Sequence, residues 1–133
     1  MIPFVRAFDF AYGRRDQVSP LIQRVIADNP GPFTFTGTGT YIVGRPDAGA
    51  EVAVIDPGPL DQAHLAALMA AVEGRRVSHV LVTHTHRDHA PLARSFAEAG
   101  AHCAWTAVTA CLASVFETAD RCGVATARVL RKS

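Results

Sequence analysis

Residues 77–89 read VSHVLVTHTHRDH, a short apolar run that leads directly into a cluster of metal-type side chains. The run from Val77 to Val82 is rich in β-branched residues, which is typical of a strand buried on both faces. The residues after it form an H-x-H-x-D-H pattern, made of His84, His86, Asp88 and His89. Neutral imidazole and carboxylate are ligands that zinc and similar divalent metals prefer. The sequence therefore predicts a metal site at the end of a buried strand.

The spacing of these four side chains predicts two ligand pairs. Side chains two residues apart on an extended segment point the same way, so His84 and His86 can close on one ion. Asp88 and His89 are adjacent and should diverge, which favours a second ion held by that pair. Asp88 has a further potential role as N-cap of the helix predicted over Leu92 to Ala99. Zinc is the first choice of metal, one or two ions per chain, with iron or manganese as alternatives.

A competing interpretation is that these histidines are solvated loop residues, as isolated surface histidines usually are. Three imidazoles and a carboxylate within six residues make that coincidence rare. Arg87 lies inside the pattern but has no lone pair to offer a metal. The metal interpretation is therefore the stronger of the two.

Together with three upstream strings, the pattern resembles the metallo-β-lactamase fold superfamily. The strings are NPGPFT (29–34), GTGTY (37–41) and VIDPG (54–58), and they are similar to the subgroup of glyoxalase II and the β-lactamase-like endoribonucleases. The resemblance covers about residues 3–102, and it departs at Gly39, where many relatives have Asn. It implies an αββα sandwich and hydrolysis of an ester-like bond by a metal-bound hydroxide. Asp88 would be catalytic by orienting that hydroxide.

The resemblance also gives Asp56 a role as a residue that supports the metal ligands. The alternative is a turn-forming Asp, since it precedes Pro57 and Gly58. The leading functional hypothesis is a metal-dependent hydrolase acting on a small-molecule ester or thioester, with glyoxalase II-type thioester hydrolysis as the first guess. Cleavage of RNA phosphodiesters is one alternative, and a catalytically inactive, truncated metal-binding fragment is the other.

The chain length limits this hypothesis. In the family that the chain resembles, later residues complete the ligand set, whereas 44 of the 133 residues follow His89 and His102 is the one later histidine. Composition also changes near residue 100: all eight Pro precede it, and all three Cys follow it. We therefore expect a single, partial domain over residues 1–133, the N-terminal half (ββαβα) of the sandwich, with an atypical segment at 101–133. That segment is either a frameshift product or a genuine C-terminus with a helix from Ala107 to Ala119.

Composition bounds the partners. With 49% hydrophobic and 19% charged residues and a formal net charge of +1, the chain is typical of a soluble globular protein without a basic field for nucleic acid. Nucleic-acid binding is thus unsupported. No apolar stretch is long enough to span a membrane, and Arg6 and Asp9 interrupt the apolar N-terminus, so a cytoplasmic location is expected. A half-built sandwich would leave one sheet face uncovered, which favours self-association.

Periodicity and turn residues predict the remaining elements. The expected strands are Val5 to Ala11, Thr40 to Val43 and Glu51 to Ile55, and the expected helices are Pro20 to Ala27 and a helix opened by Asp61 and closed by Gly74. Within these elements, we expect His64 to be exposed on its amphipathic helix. We expect His79, in mid-strand, to be buried and hydrogen-bonded.

Overall fold

The computed structural model describes residues 8–100 and 104–107, which form one sheet with two helices. The strands are β1 (Arg15–Ser19), β2 (Ile22–Ile26), β3 (Gly39–Gly44), β4 (Glu51–Ile55), β5 (Arg76–Val82) and β6 (Ala104–Ala107). The helices are α1 (Gln62–Ala71), between β4 and β5, and α2 (Leu92–Gly100), between β5 and β6. The predicted ββαβα order over Thr40 to Ala99 is confirmed, and so is the α/β class.

The six strands lie in the sheet in chain order. The first three pairings, from β1 to β4, are antiparallel, and β4–β5 and β5–β6 are parallel. Each parallel pair is linked by a helix, because a parallel connection must cross from one end of the sheet to the other. The ends of β4 and β5 and the beginning of β3 consequently meet at one edge of the sheet, since Tyr41 of β3 pairs with Ile55 of β4 and Ile55 pairs with Leu81 of β5.

Both helices pack on one face of the sheet. That face carries the alternate residues Ile42, Val54 and Val80, which are neighbours across β3, β4 and β5 and are fully buried. They form one hydrophobic cluster with Leu68 of α1 and Phe96 of α2. Burying a side chain of this size contributes roughly 1.5–3 kcal/mol, so this face supplies the main stabilisation of the described fold.

The opposite face is less covered by the residues that the structure describes. Tyr41 is 38% exposed there, and Ile55 and Leu81 are partly exposed. His79 also lies on this side of β5 and is exposed, with its Nδ1 3.0 Å from the Ser78 hydroxyl oxygen. The prediction of a buried His79 is therefore wrong, because strand alternation turns its side chain away from the helices.

Two predicted elements differ from the structure near the N-terminus. The helix predicted over Pro20 to Ala27 is wrong: Ile22–Ile26 is strand β2, which pairs with β1 on one side and β3 on the other. Its apolar positions fit a short helix or a strand equally well, and pairing on both edges decided between them. Residues 8–11 of the strand predicted from Val5 to Ala11 form no strand, and residues 5–7 lie outside the described part.

The helix α1 matches its predicted capping. Asp61 is the N-cap and its carboxylate accepts the His64 N–H at 2.6 Å, while Gly74 follows the helix with a φ of +74°. His64 itself is 3% exposed, so the prediction that it is exposed is wrong. The predicted helix from Ala107 to Ala119 lies outside the described residues apart from Ala107, which ends β6. Neither helix in the described residues has the length and apolar character needed to cross a membrane.

Candidate metal centre

The candidate ligands lie in the connection from β5 to α2, at the edge of the sheet where β4 and β5 end. Ligand sites in α/β proteins favour this edge, because the loops that leave parallel strands converge there. The connection turns on itself after His86, whose carbonyl oxygen accepts the N–H groups of His89 and Ala90 at 3.0 and 3.2 Å. α2 begins at Leu92, so Asp88 lies in the preceding turn rather than at the helix N-cap.

Three of the four predicted ligands come together. One ligand atom from each of His84, Asp88 and His89 lies within 4.8 Å of the others, and all three side chains are partly buried. The His84 and His89 ring centroids are 4.1 Å apart, and Asp88 Oδ2 is 3.1 Å from His89 Nε2. This is a compact set of two imidazoles and one carboxylate, which matches the donor types of a zinc site.

His86 is the fourth predicted ligand. Its ring centroid is 4.6 Å from that of His84 in an edge-on arrangement, and its side chain is exposed. It is therefore next to the cluster of three but outside it. The division of the four ligands into a His84/His86 pair and an Asp88/His89 pair stays a prediction.

Asp56 lies directly beneath the cluster, at the end of β4. It is 7% exposed, and its carboxylate receives three hydrogen bonds: the Thr83 N–H at 2.7 Å, the Thr83 hydroxyl at 2.6 Å, and His89 Nδ1 at 2.9 Å. Its backbone has a φ of +51°, a left-handed conformation that Asp adopts more readily than most residues. The Asp56 carboxylate therefore connects the end of β5 to the turn that carries the candidate ligands, residues 84–89.

The hydrogen bonds determine which nitrogen of each histidine is free. His89 has a carboxylate at both nitrogens, Asp56 at Nδ1 (2.9 Å) and Asp88 at Nε2 (3.1 Å). A metal between Nε2 and Asp88 would leave the ring proton on Nδ1, where Asp56 accepts the hydrogen bond. The single proton of the Thr83 hydroxyl is directed at Asp56, so the Thr83 oxygen, 2.9 Å from His84 Nδ1, accepts a hydrogen bond from the Nδ1–H of His84. Both rings consequently keep Nε2 free of a proton in their neutral forms, which is the form a metal requires.

The donor set fits a bound cation on this geometry. In the neutral ring the His89 Nε2 lone pair faces the Asp88 carboxylate oxygen at 3.1 Å, which sets two electron-rich atoms against each other. A cation between them, either a metal ion or an added proton, removes that repulsion. His84, Asp88 and His89 are thus the described residues best arranged to hold a metal.

Sequence reasoning did not single out Thr83, Thr40 or His64 as parts of this site. Thr83 stands immediately before the H-x-H-x-D-H pattern, so its position was a usable signal. Thr40 and His64 are distant in sequence from the pattern, and only the pairing of the strands and the packing of α1 bring them under Asp56.

Comparison with known families is consistent with this site. The family model described as the metallo-beta-lactamase superfamily matches residues 34–113, more than half of the chain. The chain belongs to the metallo-β-lactamase superfamily. The predicted fold class, the N-terminal part of a metallo-β-lactamase fold, is confirmed by this match and by a solved structure. That structure, a beta-lactamase domain protein from Burkholderia ambifaria, is 26% identical with a TM-score of 0.57, over 71% of this chain and 32% of that one.

Several curated relatives are similar over part of the chain. The chain is 45% identical over 76 residues to an atrochrysone carboxyl ACP thioesterase of Cryptosporiopsis sp., covering 56% of this chain and 23% of that protein. It is 34% identical over 101 residues to a lactamase-like protein of Aspergillus niger, covering 66% and 31%. This metallo-β-lactamase family chain thus spans about a quarter to a third of the length of these relatives.

Proposed function

We propose that this chain carries part of the metal centre of a thioester hydrolase. The observation that carries the proposal is the cluster of His84, Asp88 and His89, whose two imidazoles both keep Nε2 available through hydrogen bonds to Asp56 and Thr83. Support for the thioester comes from the relatives named as atrochrysone carboxyl ACP thioesterases, one of them from Claviceps purpurea at 40% identity. The glyoxalase II-like character of the site belongs to the same proposal.

A divalent ion held by His84, Asp88 and His89 would lower the pKa of a water and polarise the thioester carbonyl. Zinc is the proposed metal, because nitrogen and carboxylate donors in a partly buried set suit it, with iron or manganese as substitutes. His86 stands beside His84 as a further donor for the same ion or for a second one.

The remaining steps belong to side chains of this chain. Asp88 would bind the metal and orient the attacking water, since its carboxylate faces the ligand nitrogen of His89. Asp56 would not touch substrate. Its carboxylate would keep His89 in the Nδ1–H form, directly, and His84 in the same form through Thr83, as carboxylates behind metal-bound histidines commonly do.

The proposed substrate is a small-molecule thioester with an apolar acyl group. The loop between β2 and β3 enters the sheet at the same edge as the ligand turn, and it exposes Phe33 at 98% and Phe35 at 60%. Two exposed phenyl rings at that edge favour contact with an apolar ligand over a nucleic-acid backbone, which would call for basic residues. The RNA phosphodiester alternative is not favoured by any contact described above.

A catalytically silent metal-binding protein is the second candidate. It is favoured by the size of the cluster, because the described residues bring three ligands together, and by the matched region, which is 23–31% of the length of the relatives. A cytoplasmic location and self-association stay predictions.

The decisive experiment is a thiol-release assay on the purified chain with an acyl-pantetheine thioester, with and without added zinc, beside Asp88→Asn and the exposed control Asp47→Asn. We expect slow, zinc-dependent cleavage that Asp88→Asn removes and Asp47→Asn retains. Cleavage should be slow, because losing precise positioning of the reacting groups costs orders of magnitude in rate. Zinc binding without any zinc-dependent cleavage would instead favour the silent metal-binding protein.

A further inference from the structure

His64 is a buried polar side chain in the first turn of α1 that the proposed chemistry does not use directly. It is 3% exposed, and its Nε2 lies 3.0 Å from the Thr40 hydroxyl oxygen on β3. Burial lowers the pKa of His64 from its ordinary value of 6.5, against smaller opposing effects of Asp61 and the Pro57 backbone. The neutral ring is therefore the favoured form inside the fold.

The Thr40 hydroxyl determines the direction of this hydrogen bond. Its oxygen is 2.8 Å from the backbone carbonyl oxygen of Asp56, which can only accept, so the single hydroxyl proton is donated to Asp56. Thr40 must then accept from His64, which places the imidazole proton on Nε2. A chain of two oriented hydrogen bonds thus runs from His64 through Thr40 to the Asp56 backbone.

The carbonyl at the end of that chain belongs to a strained residue. Asp56 has a φ of +51°, a left-handed conformation that is unfavourable for residues other than glycine. Conformations of this kind persist only where surrounding contacts hold them. The Thr40 hydroxyl is such a contact, and the Asp56 conformation is the one in which the carboxylate reaches both Thr83 and His89.

The His64 ring also supports the turn that follows Asp56. A Cβ added at Gly58 would lie 3.1 Å from His64 Nε2, so the backbone there rests directly on the ring. The Gly58 N–H is donated to the carbonyl oxygen of His89 at 3.0 Å, and the Gly58 carbonyl oxygen accepts the Leu92 N–H at 3.1 Å. The turn over His64 therefore holds the ligand His89 and the beginning of α2 at the same time.

We infer that His64 is a positioning residue for the metal centre: its Nε2–H orients Thr40, Thr40 holds the left-handed Asp56 backbone, and the Asp56 carboxylate presents His89 Nε2 to the metal. This inference rests on the proposed metal function. It adds a contact 20 residues before the ligand pattern, on a helix that contributes no ligand. The alternative is that His64 only fills space in the core.

The two roles are separated by the variants His64→Leu and His64→Gln. Leucine keeps an apolar side chain in the cavity but donates nothing, whereas the Gln amide nitrogen can occupy the position of Nε2 and donate to Thr40. Val72→Ala, a core change at the other end of α1, serves as a control that lowers stability without touching the hydrogen-bond chain.

Two measurements are made on each variant of the full chain: zinc affinity by competition with a chromophoric chelator, and the His89 tautomer in the metal-free protein by long-range ¹H–¹⁵N NMR. We expect His64→Leu to lower zinc affinity about 10–100-fold and to broaden or change the Nδ1–H pattern of His89. His64→Gln should restore both to near wild-type values, and Val72→Ala should leave both unchanged despite its lower stability.

Unchanged zinc affinity and an unchanged His89 tautomer in His64→Leu would overturn the inference, as would a failure of His64→Gln to restore either. If His64→Leu does not fold, Thr40→Val breaks the same chain with a side chain of equal shape and decides the matter by the same two readouts. If the wild-type chain binds no zinc, the proposed function fails, and the tautomer measurement still tests the positioning role.

Discussion

Replacement of Asp56 by Asn tests the central support of the metal centre with the smallest change of shape. The Asn oxygen can still accept the Thr83 N–H. The amide nitrogen then takes the place of Oδ2, where the carboxylate accepts from the Thr83 hydroxyl and from His89 Nδ1. An amide nitrogen donates and does not accept. His89 therefore loses the acceptor for its Nδ1–H and is driven to the opposite tautomer, in which the proton occupies the nitrogen that a metal needs.

The expected size follows from these contacts. A hydrogen bond to a charged group contributes about 1.5–3 kcal/mol, so losing the two at Oδ2 would cost about 3–6 kcal/mol if nothing replaced them. The Asn amide recovers part of this by donating to the Thr83 oxygen and to the rearranged His89 ring, and no buried charge remains to be solvated. We expect the free energy of unfolding to fall by about 2 kcal/mol and zinc affinity to fall about 10–100-fold.

The assay combines urea unfolding followed by circular dichroism with zinc competition on the same samples. Asp47→Asn is the matched control, because it removes the same charge from an exposed turn between β3 and β4. It should change unfolding free energy by less than about 0.5 kcal/mol and leave zinc affinity unchanged. Zinc affinity in Asp56→Asn equal to that of the wild type would refute the reasoning, whatever happens to stability.

Three further outcomes are expected. His84→Ala should remove most zinc affinity, whereas His79→Ala, on the exposed side of β5, should retain it. Equal zinc affinities of the two variants in isothermal titration calorimetry would contradict this prediction. Gly58→Ala should destabilise the fold by about 2 kcal/mol or more, and Gly49→Ala by about 1 kcal/mol, because both have a positive φ but only Gly58 adds a close contact; equal urea midpoints would contradict this. Burial lowers the pKa of His64 in the folded chain, so the unfolded chain binds more protons below about pH 6.5 and the free energy of unfolding should decrease as the pH falls below that value. In urea titrations at several pH values, His64→Gln should flatten this part of the stability profile, and an unchanged profile would contradict the prediction.

The elements that sequence predicted well are those with a strong local pattern. β5 is rich in β-branched residues, and α1 has Asp61 at its beginning and Gly74 beyond its end, so each could be recognised without knowledge of its neighbours. β2 was mistaken for a helix, because five residues with apolar positions at mixed spacing satisfy both periods. Its strand conformation depends on hydrogen bonds to β1 and β3, which no local pattern encodes.

The two histidines outside the ligand pattern illustrate the same limit. The sequence predicts a buried His79 and an exposed His64, whereas His79 is exposed and His64 is buried in the structure. The side chain of a mid-strand residue is buried only if the sheet face on which it lies is covered. Among the described residues, the helices cover the face opposite His79. A polar residue on a helix can be buried when it has a hydrogen-bond partner inside the fold. The partner of His64 is Thr40, 24 residues earlier in the chain.

By itself the sequence determined the types of candidate ligand, their spacing, the ββαβα order that presents them, and the resemblance to the superfamily. These are local properties, because a few adjacent residues set the donor chemistry and the strand-to-turn transition. Only the tertiary structure decided that His84, Asp88 and His89 form the tight cluster with His86 beside it. The resemblance already indicated Asp56 as a supporting residue, but only the tertiary structure connects it by hydrogen bonds to Thr83, Thr40 and His64. This set of hydrogen bonds joins β3, α1 and the ends of β4 and β5, so it exists only once sheet pairing and helix packing have brought each residue within hydrogen-bond distance of the next.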